Sequence, residues 1–575
     1  MRKDWRLAIP RYPSALQAMI KPHNRVSKMA SPYIDQLVNM KYVGNVHRRT
    51  RFKTTKNDDP FFHKFCVQKF GKVPREQWDI YDLGRPNADA LMPSIMKYDK
   101  PTFTLDEKAW AQAESWCIRH FIDAHGSEEY EGDEKVFDLM EKKSSPGYPY
   151  ILYKDKHGKS SKKVILENKE LVKQIIDYND RIEHEQCPTF WAVHEKEEVR
   201  PITKLMVNKL RTFVGGSLEH LFACMTMFHD MNEKMYSSAA RHANWSFVGA
   251  TKFGGGWHEL YKRLSKHPNA YALDEKDYDC SISAFMLESD ARKRIAFLKN
   301  ATPGQIQKIW NLYMEIIYSY MVLPDGDIFM KDRGNPSGSF NTILDNILTL
   351  YDLLAYAWIK LAPPEMRSYE CFHRHVEAVM CGDDNTWTVS DEAHVFFNGR
   401  TVAAIWTQLG ITTTSDNWEA SKLIDTWFMS SGFKEIEHPF QKGTKVIVPV
   451  SETEKVMASM AFNTKSTNAR WSLLRACALR IDSFYNDNCR VFLNEYISHL
   501  LTTYPNELRS APDPNDEMDF LTFDDVMSVY KSDMELTCLY LGLEGGSFDE
   551  KATCILEYVG YELGINLNVN SPINK

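Results

Sequence analysis

Apolar positions along the middle of the chain follow two different periods. "NAYALD" (269–274) alternates as a short strand, whereas "SAFMLESDARKRIAFLKN" (283–300) has the spacing of a helix. After "GNPSGS" (334–339), Ile343, Leu344, Ile347, Leu348 and Tyr351 mark one face of a long helix. "VEAVM" (376–380) and "TWTV" (386–389) are apolar strands on either side of Gly-Asp-Asp-Asn, a composition that suits the tight turn of a hairpin. "EAHVFFNGRTVAAIWTQLG" (392–410) predicts a helix stopped by Gly410, and "ITTT" (411–414) a short strand. The order is strand, helix, long helix, hairpin, helix, strand, a split β-α-β unit on an antiparallel sheet in an α+β fold. Beyond 450 the pattern is mostly helical. Upstream, residues 1 to about 140 alternate short helices with Pro-containing connections, followed by a rigid loop, "SSPGYPY" (144–150), and a basic one, "KHGKSSKK" (156–163). No internal repeat or low-complexity linker divides the chain, which predicts one multi-lobed unit.

Composition narrows the class. The 575 residues are 43% hydrophobic, as in a soluble globular protein. The longest apolar run, "TILDNILTLYDLLAYAWIKL" (342–361), is broken by Asp345 and Asp352 and predicts a packed helix, so no transmembrane segment is expected. The opening "MRKDWRLAIPRYP" has no apolar core behind its basic start, so no signal peptide is expected either. Eleven cysteines are scattered without a CxxC pair, which suits small core thiols in a reducing compartment. One zinc arrangement presents itself: a strand through "CFHRH" (371–375) would put Cys371, His373 and His375 on one face.

The net charge of −7 is not that of a general nucleic-acid binder, but the charge is unevenly spread. Arg2, Lys3, Arg6, Arg11, Lys21, Arg25, Lys28, Lys41, Arg48, Arg49, Arg51, Lys53 and Lys56 stand against only Asp4 and Asp35, while "DPNDEMDFLTFDD" (513–525) is acidic. The basic opening is either a phosphate contact or a solvated face, and bound nucleic acid would lie in a locally basic groove.

Gly-Asp-Asp alone is weak, expected by chance in roughly one chain of this length in ten. Its partner is Asp274, at the end of the first strand, which adjacent central strands would bring beside Asp383 at the hairpin tip. Clustered carboxylates of this kind bind two Mg²⁺ ions about 3.5–4 Å apart, activating a hydroxyl and stabilising a leaving pyrophosphate. Taken alone, Asp274 is equally a strand-end turn residue. Gly254–Gly256 is not a phosphate-binding loop, since no Gly-Lys-Ser/Thr follows.

"DEKDYD" (274–279), "PSGSFNTILDN" (336–346) and "CGDD" (381–384) resemble motifs A, B and C of viral RNA-dependent RNA polymerases, and "GNPSG" resembles the positive-strand picornavirus, calicivirus and astrovirus type. "HEKEEVRPITKLMVNKLR" (194–211) resembles motif F, with Lys196-Glu197-Glu198 where the family has Lys-Asp-Glu; "SSPGYPY" resembles motif G and "FMSSGFK" (428–434) motif E. The resemblance spans about residues 144–434. It implies a right-hand polymerase of fingers, palm and thumb, with an RRM-like antiparallel palm sheet in a closed hand. The implied divisions are fingertips and fingers at 1–228, palm at 229–282, a fingers insertion at 283–332, palm again at 333–440 and thumb at 441–575.

The resemblance also implies the site. Asp274, Asp383 and Asp384 would be catalytic and hold Mg²⁺, with Mn²⁺ as a substitute. Lys196, Arg200, Lys204, Lys209 and Arg211, cations on an extended ribbon, would bind the nucleotide triphosphate. Asp279 and Asn346, supported by Ser337 and Thr342, would recognise the ribose 2′-hydroxyl. Ser145, Gly147, Tyr148 and Gly338 would touch template RNA, Gly338 by allowing a flexible loop. The implied partners are template and nascent RNA, rNTPs, a protein primer and other viral replication proteins, in the host cytoplasm on membrane-associated replication complexes. Two alternatives are a non-catalytic RNA-binding protein on a degenerate polymerase fold and a reverse transcriptase. The first predicts lost carboxylates, yet Asp274, Asp383 and Asp384 are all present. The second expects a bulky side chain near Asp279 to exclude the 2′-hydroxyl, and a hydrogen-bonding pair of Asp279 and Asn346 argues against it. One departure stands in motif D, where Trp418 occupies the place of the family's lysine and Lys422 is the nearest substitute.

Overall fold

A computed structural model of the chain describes residues 26–46, 52, 54, 56–129, 133–155, 158, 160–415, 418–463, 468–512 and 520–569. Most of the basic opening (Arg2, Lys3, Arg6, Arg11, Lys21, Arg25, Arg48, Arg49, Arg51, Lys53) and residues 513–519 of the acidic stretch lie outside the described residues.

The expected hairpin is present. Val376–Cys381 and Asp384–Val389 pair antiparallel from Val376 opposite Val389 to Cys381 opposite Asp384, and Asn269–Tyr271 adds to the second strand as a third, antiparallel member. Asp274–Glu275 pairs separately with Thr413–Thr414, so the first strand is used in two short pieces. Helix Thr342–Leu361 packs against strand Val376–Cys381 and is enclosed by helices Glu107–His120, Ala284–Phe297 and Gly399–Gln408. Burial on nearly all sides explains its unbroken apolar composition. Its two acidic interruptions are fully buried and paired: Arg294 donates to Asp345 Oδ1 at 2.7 Å, and Lys293 bonds Asp352.

A five-stranded sheet lies in the N-terminal half, in the order Lys41–Asn45, Asp327–Met330, Tyr320–Val322, Phe190–Glu195, Thr212–Gly215. Beyond Ser451 the described chain is almost wholly helical, as expected, and forms a second core around Trp471, Leu474, Leu493 and Tyr496.

Several local expectations are corrected. The segment 392–410 is two helices, Asp391–His394 and Gly399–Gln408, because Asn398 leaves the helical conformation and caps the second by accepting from Thr401 N at 3.2 Å. "CFHRH" ends a helix, Tyr369–His375, not a strand. Residues two apart on a helix are turned about 200° from each other, so His373 points away from the face that Cys371 and His375 share, and the three expected zinc donors do not converge. His373 instead meets the Tyr351 hydroxyl at 2.8 Å and His375 meets Ser390 Oγ at 2.8 Å. The motif F segment is no continuous ribbon: strand Glu198–Pro201, paired with Tyr81–Gly84, gives way to helix Ile202–Met206, which carries Lys204. The expected division at 228/229 falls within the continuous helix Leu218–Ala240, and helix Pro60–Phe70, expected in the fingertips, places Phe62, Phe65 and Cys66 in the core built by the C-terminal helices.

Candidate active site

The hairpin turn consists of Gly382 and Asp383, with Gly382 at φ +66°. A left-handed conformation is cheap only for glycine, and it projects Asp383 from the tip while Asp384 opens the return strand. Asp274 lies on the neighbouring segment, where Thr414 Oγ1 donates to its Oδ2 at 3.2 Å. All three carboxylates reach solvent, although protein surrounds those of Asp383 and Asp384 on most sides. Burial raises the pKa of Asp383, and the charge of Asp274 adds to the rise. Burial, then Asp383 and Asp274, push Asp384 up to about 6. Arg211, beside the strand Thr212–Gly215, offsets part of this at Asp383, and Lys455, from the helix Thr453–Ala461, part of it at Asp384.

Three mutually repelling carboxylates make an oxygen donor set that suits hard divalent cations. As the side chains stand, no three His, Cys, Asp or Glu groups converge to metal-binding distance among the described residues. Behind the cluster, buried Glu275 accepts from Asn385 Nδ2 at 3.0 Å, and burial followed by the charges of Asp383 and Asp274 raises its pKa well above the usual range. Neither residue carried an expected role; the adjacency of Asn385 to Gly-Asp-Asp was the only signal.

Above the carboxylates, Glu198 organises two of the expected cations. It accepts from Arg200 Nη1 at 2.9 Å and from Arg211 Nε at 2.6 Å, which buries Arg200 and leaves Arg211 largely exposed. Burial and then the neighbouring Arg211 lower the pKa of Lys196, which also lies near Asp279. Lys209 lies near Asp277 and Lys204, and its pKa is lowered mainly by burial.

The expected ribose residues do come together. Asn346 Nδ2 donates to Asp279 Oδ1 at 2.5 Å, and burial, then Asp383, push Asp279 up to about 6. Thr342 spends its hydroxyl on the carbonyls of Pro336 (2.6 Å) and Ser339 (3.0 Å), and Ser337 Oγ accepts from Val214 N at 3.3 Å, so both hold the loop itself.

The expected template residues divide. Ser145 is exposed, but Tyr148 is buried, its ring packed on Phe190 at 5.5 Å, so it anchors the loop and does not face RNA. Gly147, at φ +74°, lies so close to Gly216 that a Cβ would stand 2.3 Å from its carbonyl oxygen. Gly338 is likewise needed for close approach, since a Cβ there would lie 2.7 Å from Val214 O and 2.8 Å from Gly215 Cα. Its loop is held against the strand Thr212–Gly215 and is not free.

Comparison with known proteins agrees with this geometry. A family model described as viral RNA-dependent RNA polymerase matches residues 75–487. The genome polyprotein of Lettuce mosaic virus (strain E) is 28% identical over 441 residues, covering 74% of this chain and 12% of the polyprotein. That of Zucchini yellow mosaic virus (strain Singapore) is 26% identical over 462 residues, covering 78% and 14% respectively. The chain thus spans only a small part of the polyproteins it matches. Among solved structures, the Sicinivirus 3Dpol RNA dependent RNA polymerase shares the fold with a TM-score of 0.62 at 14% identity, covering 86% of this chain and 99% of that one.

Proposed function

This chain belongs to the viral RNA-dependent RNA polymerase family, and on that premise we propose that it extends RNA on an RNA template by transferring nucleotides from rNTPs to a 3′-hydroxyl at the Asp274–Asp383–Asp384 cleft. The two alternatives, a non-catalytic RNA-binding protein and a reverse transcriptase, gain no support. Asp274, Asp383 and Asp384 would hold divalent ions, Mg²⁺ with Mn²⁺ as substitute, which when bound activate the 3′-hydroxyl and neutralise the leaving pyrophosphate. Arg211 presents its guanidinium toward the same cleft, fixed by the fork it makes on Glu198, and with Arg200, Lys196, Lys204 and Lys209 draws the triphosphate in. Asp279 and Asn346 receive the ribose. Template and product lie in the groove through backbone and 2′-hydroxyl contacts, with little reading of sequence.

No described helix is long and apolar enough to cross a membrane. The proposed location is membrane-associated replication complexes in the host cytoplasm, and the proposed partners are a protein primer and other viral replication proteins.

The observation that carries the reading is the crowding of three carboxylates at a hairpin tip opposite Arg211. Primer extension on a homopolymeric RNA template with Mg²⁺ or Mn²⁺ tests it. Asp383→Ala is expected to lose at least about a hundredfold in rate, the usual scale for removing a central electrostatic group. Equal incorporation by wild type and variant would refute the catalytic assignment.

A further inference from the structure

The loop before the long helix contains an asparagine to which no role has yet fallen. Asn335 is fully buried. Its Nδ2 donates to Asn346 Oδ1 at 3.0 Å and to Thr342 O at 3.3 Å, and its backbone N–H donates to Asp279 O at 2.8 Å. A carboxamide is nearly symmetrical in shape but not in chemistry, because a half-turn exchanges its donor for its acceptor. Asn335 decides which way Asn346 faces: only the oxygen of Asn346 can meet the Asn335 amide, which leaves the Asn346 amide for Asp279. Asn335 cannot turn over in its own place, since its oxygen would then oppose those of both Thr342 and Asn346.

The loop that sets Asn335 is itself fixed. Gly334, at φ +78°, donates its N–H to Ile282 O at 2.8 Å, and a Cβ there would stand 2.6 Å from the Tyr98 ring and 2.9 Å from Asp279 O. Buried Lys331 donates to Gly334 O at 2.7 Å and to Ile317 O at 3.1 Å. Polarity is therefore passed in one direction, from a rigid loop to Asn335, then to Asn346, then to Asp279.

We propose that Asn335 is a positioning residue for ribose recognition. By holding the Asn346 carboxamide in one orientation, it keeps Asp279 Oδ1 occupied and Oδ2 disposed to accept from a nucleotide 2′-hydroxyl. The proposal rests on the assignment of Asp279 and Asn346 to the ribose.

Asn335 Oδ1 has no hydrogen-bond partner among the described residues. Leucine has nearly the same branched shape, so Asn335→Leu removes the orientating donor and an unsatisfied acceptor together, and the fold is expected to hold. The test measures kcat/KM for ATP and for dATP on poly(U) primed with oligo(A), in wild type, Asn335→Leu and Asn346→Ala, alongside thermal melting. The ATP-to-dATP ratio of Asn335→Leu is expected to fall roughly three- to tenfold, about the worth of one neutral hydrogen bond. A purely structural role would lower both nucleotides in proportion, and an unchanged ratio overturns the proposal. If Asn346→Ala lowers the ratio and Asn335→Leu does not, only the proposal fails. If Asn346→Ala also leaves it fixed, the ribose assignment fails first. Should the leucine variant melt early, Asn335→Asp keeps the shape and reverses the polarity, and the same fall in ratio is expected of it.

Discussion

Glu195 closes the strand Phe190–Glu195 with one carboxyl oxygen accepting from Asn87 N at 2.6 Å and the other, Oε1, buried without a hydrogen-bond partner among the described residues. Burial pushes its pKa from 4.5 up to about 7, and the Asn87 bond only partly opposes this. The folded state therefore holds this proton more tightly than the unfolded chain does. Stability from the group is whole below about pH 4.5 and is lost as pH rises through about 7. Glu195→Gln removes the ionisation and is expected to raise stability at pH 8 by about 1 kcal/mol, after allowance for solvent screening, with the advantage gone at pH 4. Melting curves of both proteins across that range check it, and a constant difference would refute it. The same scale governs Asn335 and Glu198, whose importance lies in which atom faces which neighbour. Sequence supplies their identity and spacing but not that orientation.

At the scale of elements, the motif B loop is stitched to the strand Thr212–Gly215 through Gly338 N–H to Val214 O at 3.0 Å. Gly338→Ala would press a Cβ into backbone atoms that cannot swing aside. The expected cost is about 1–3 kcal/mol, seen in melting, with primer extension falling at least tenfold as the loop lifts. Full activity in that variant would show that the contact is dispensable. The palm hairpin and the helix Thr342–Leu361 were legible beforehand because burial imposes one period over many residues, so Asp274 and Asp383 could be placed side by side. Where a single side chain decides, that signal fails. Asn398 breaks a continuous apolar pattern by capping, and Tyr148 turns into the core although its loop resembles motif G. "CFHRH" has alternating metal donors, yet it completes a helix begun at Tyr369. The helix Ile202–Met206 was missed for a related reason, since five residues are too few to show an apolar period.

For the whole molecule, the closed hand depends on contacts between segments that no local pattern links. Asn57–Asp58 pairs as a strand with Phe462–Asn463. Next to it, Asp59 Oδ1 caps helix Pro60–Phe70 by accepting from Phe61 N and Phe62 N at 3.0 Å each, while its Oδ2 accepts from Ser472 Oγ at 2.7 Å and Arg475 Nη1 at 2.9 Å. Arg475 also donates to Ser459 O at 2.6 Å and to the carbonyl of Phe462, and both charges of the ion pair, Asp59 and Arg475, are buried. A second contact between distant segments brings Lys143 Nζ to 5.4 Å from the Phe520 ring centroid. Deleting half of a buried pair strands the other charge, so Arg475→Ala is expected to cost about 3–5 kcal/mol. The loss should fall on closure as well as on stability, because the same guanidinium holds the Phe462 carbonyl beside the strand pair. Arg475→Ala should therefore shorten the lifetime of the enzyme on primed RNA under competitor challenge. Asp59→Asn combined with Arg475→Met removes both charges, and it is expected to recover most of the melting temperature but not the lifetime. Recovery of both together would mean that the pair supports the C-terminal core alone and leaves closure to the strand.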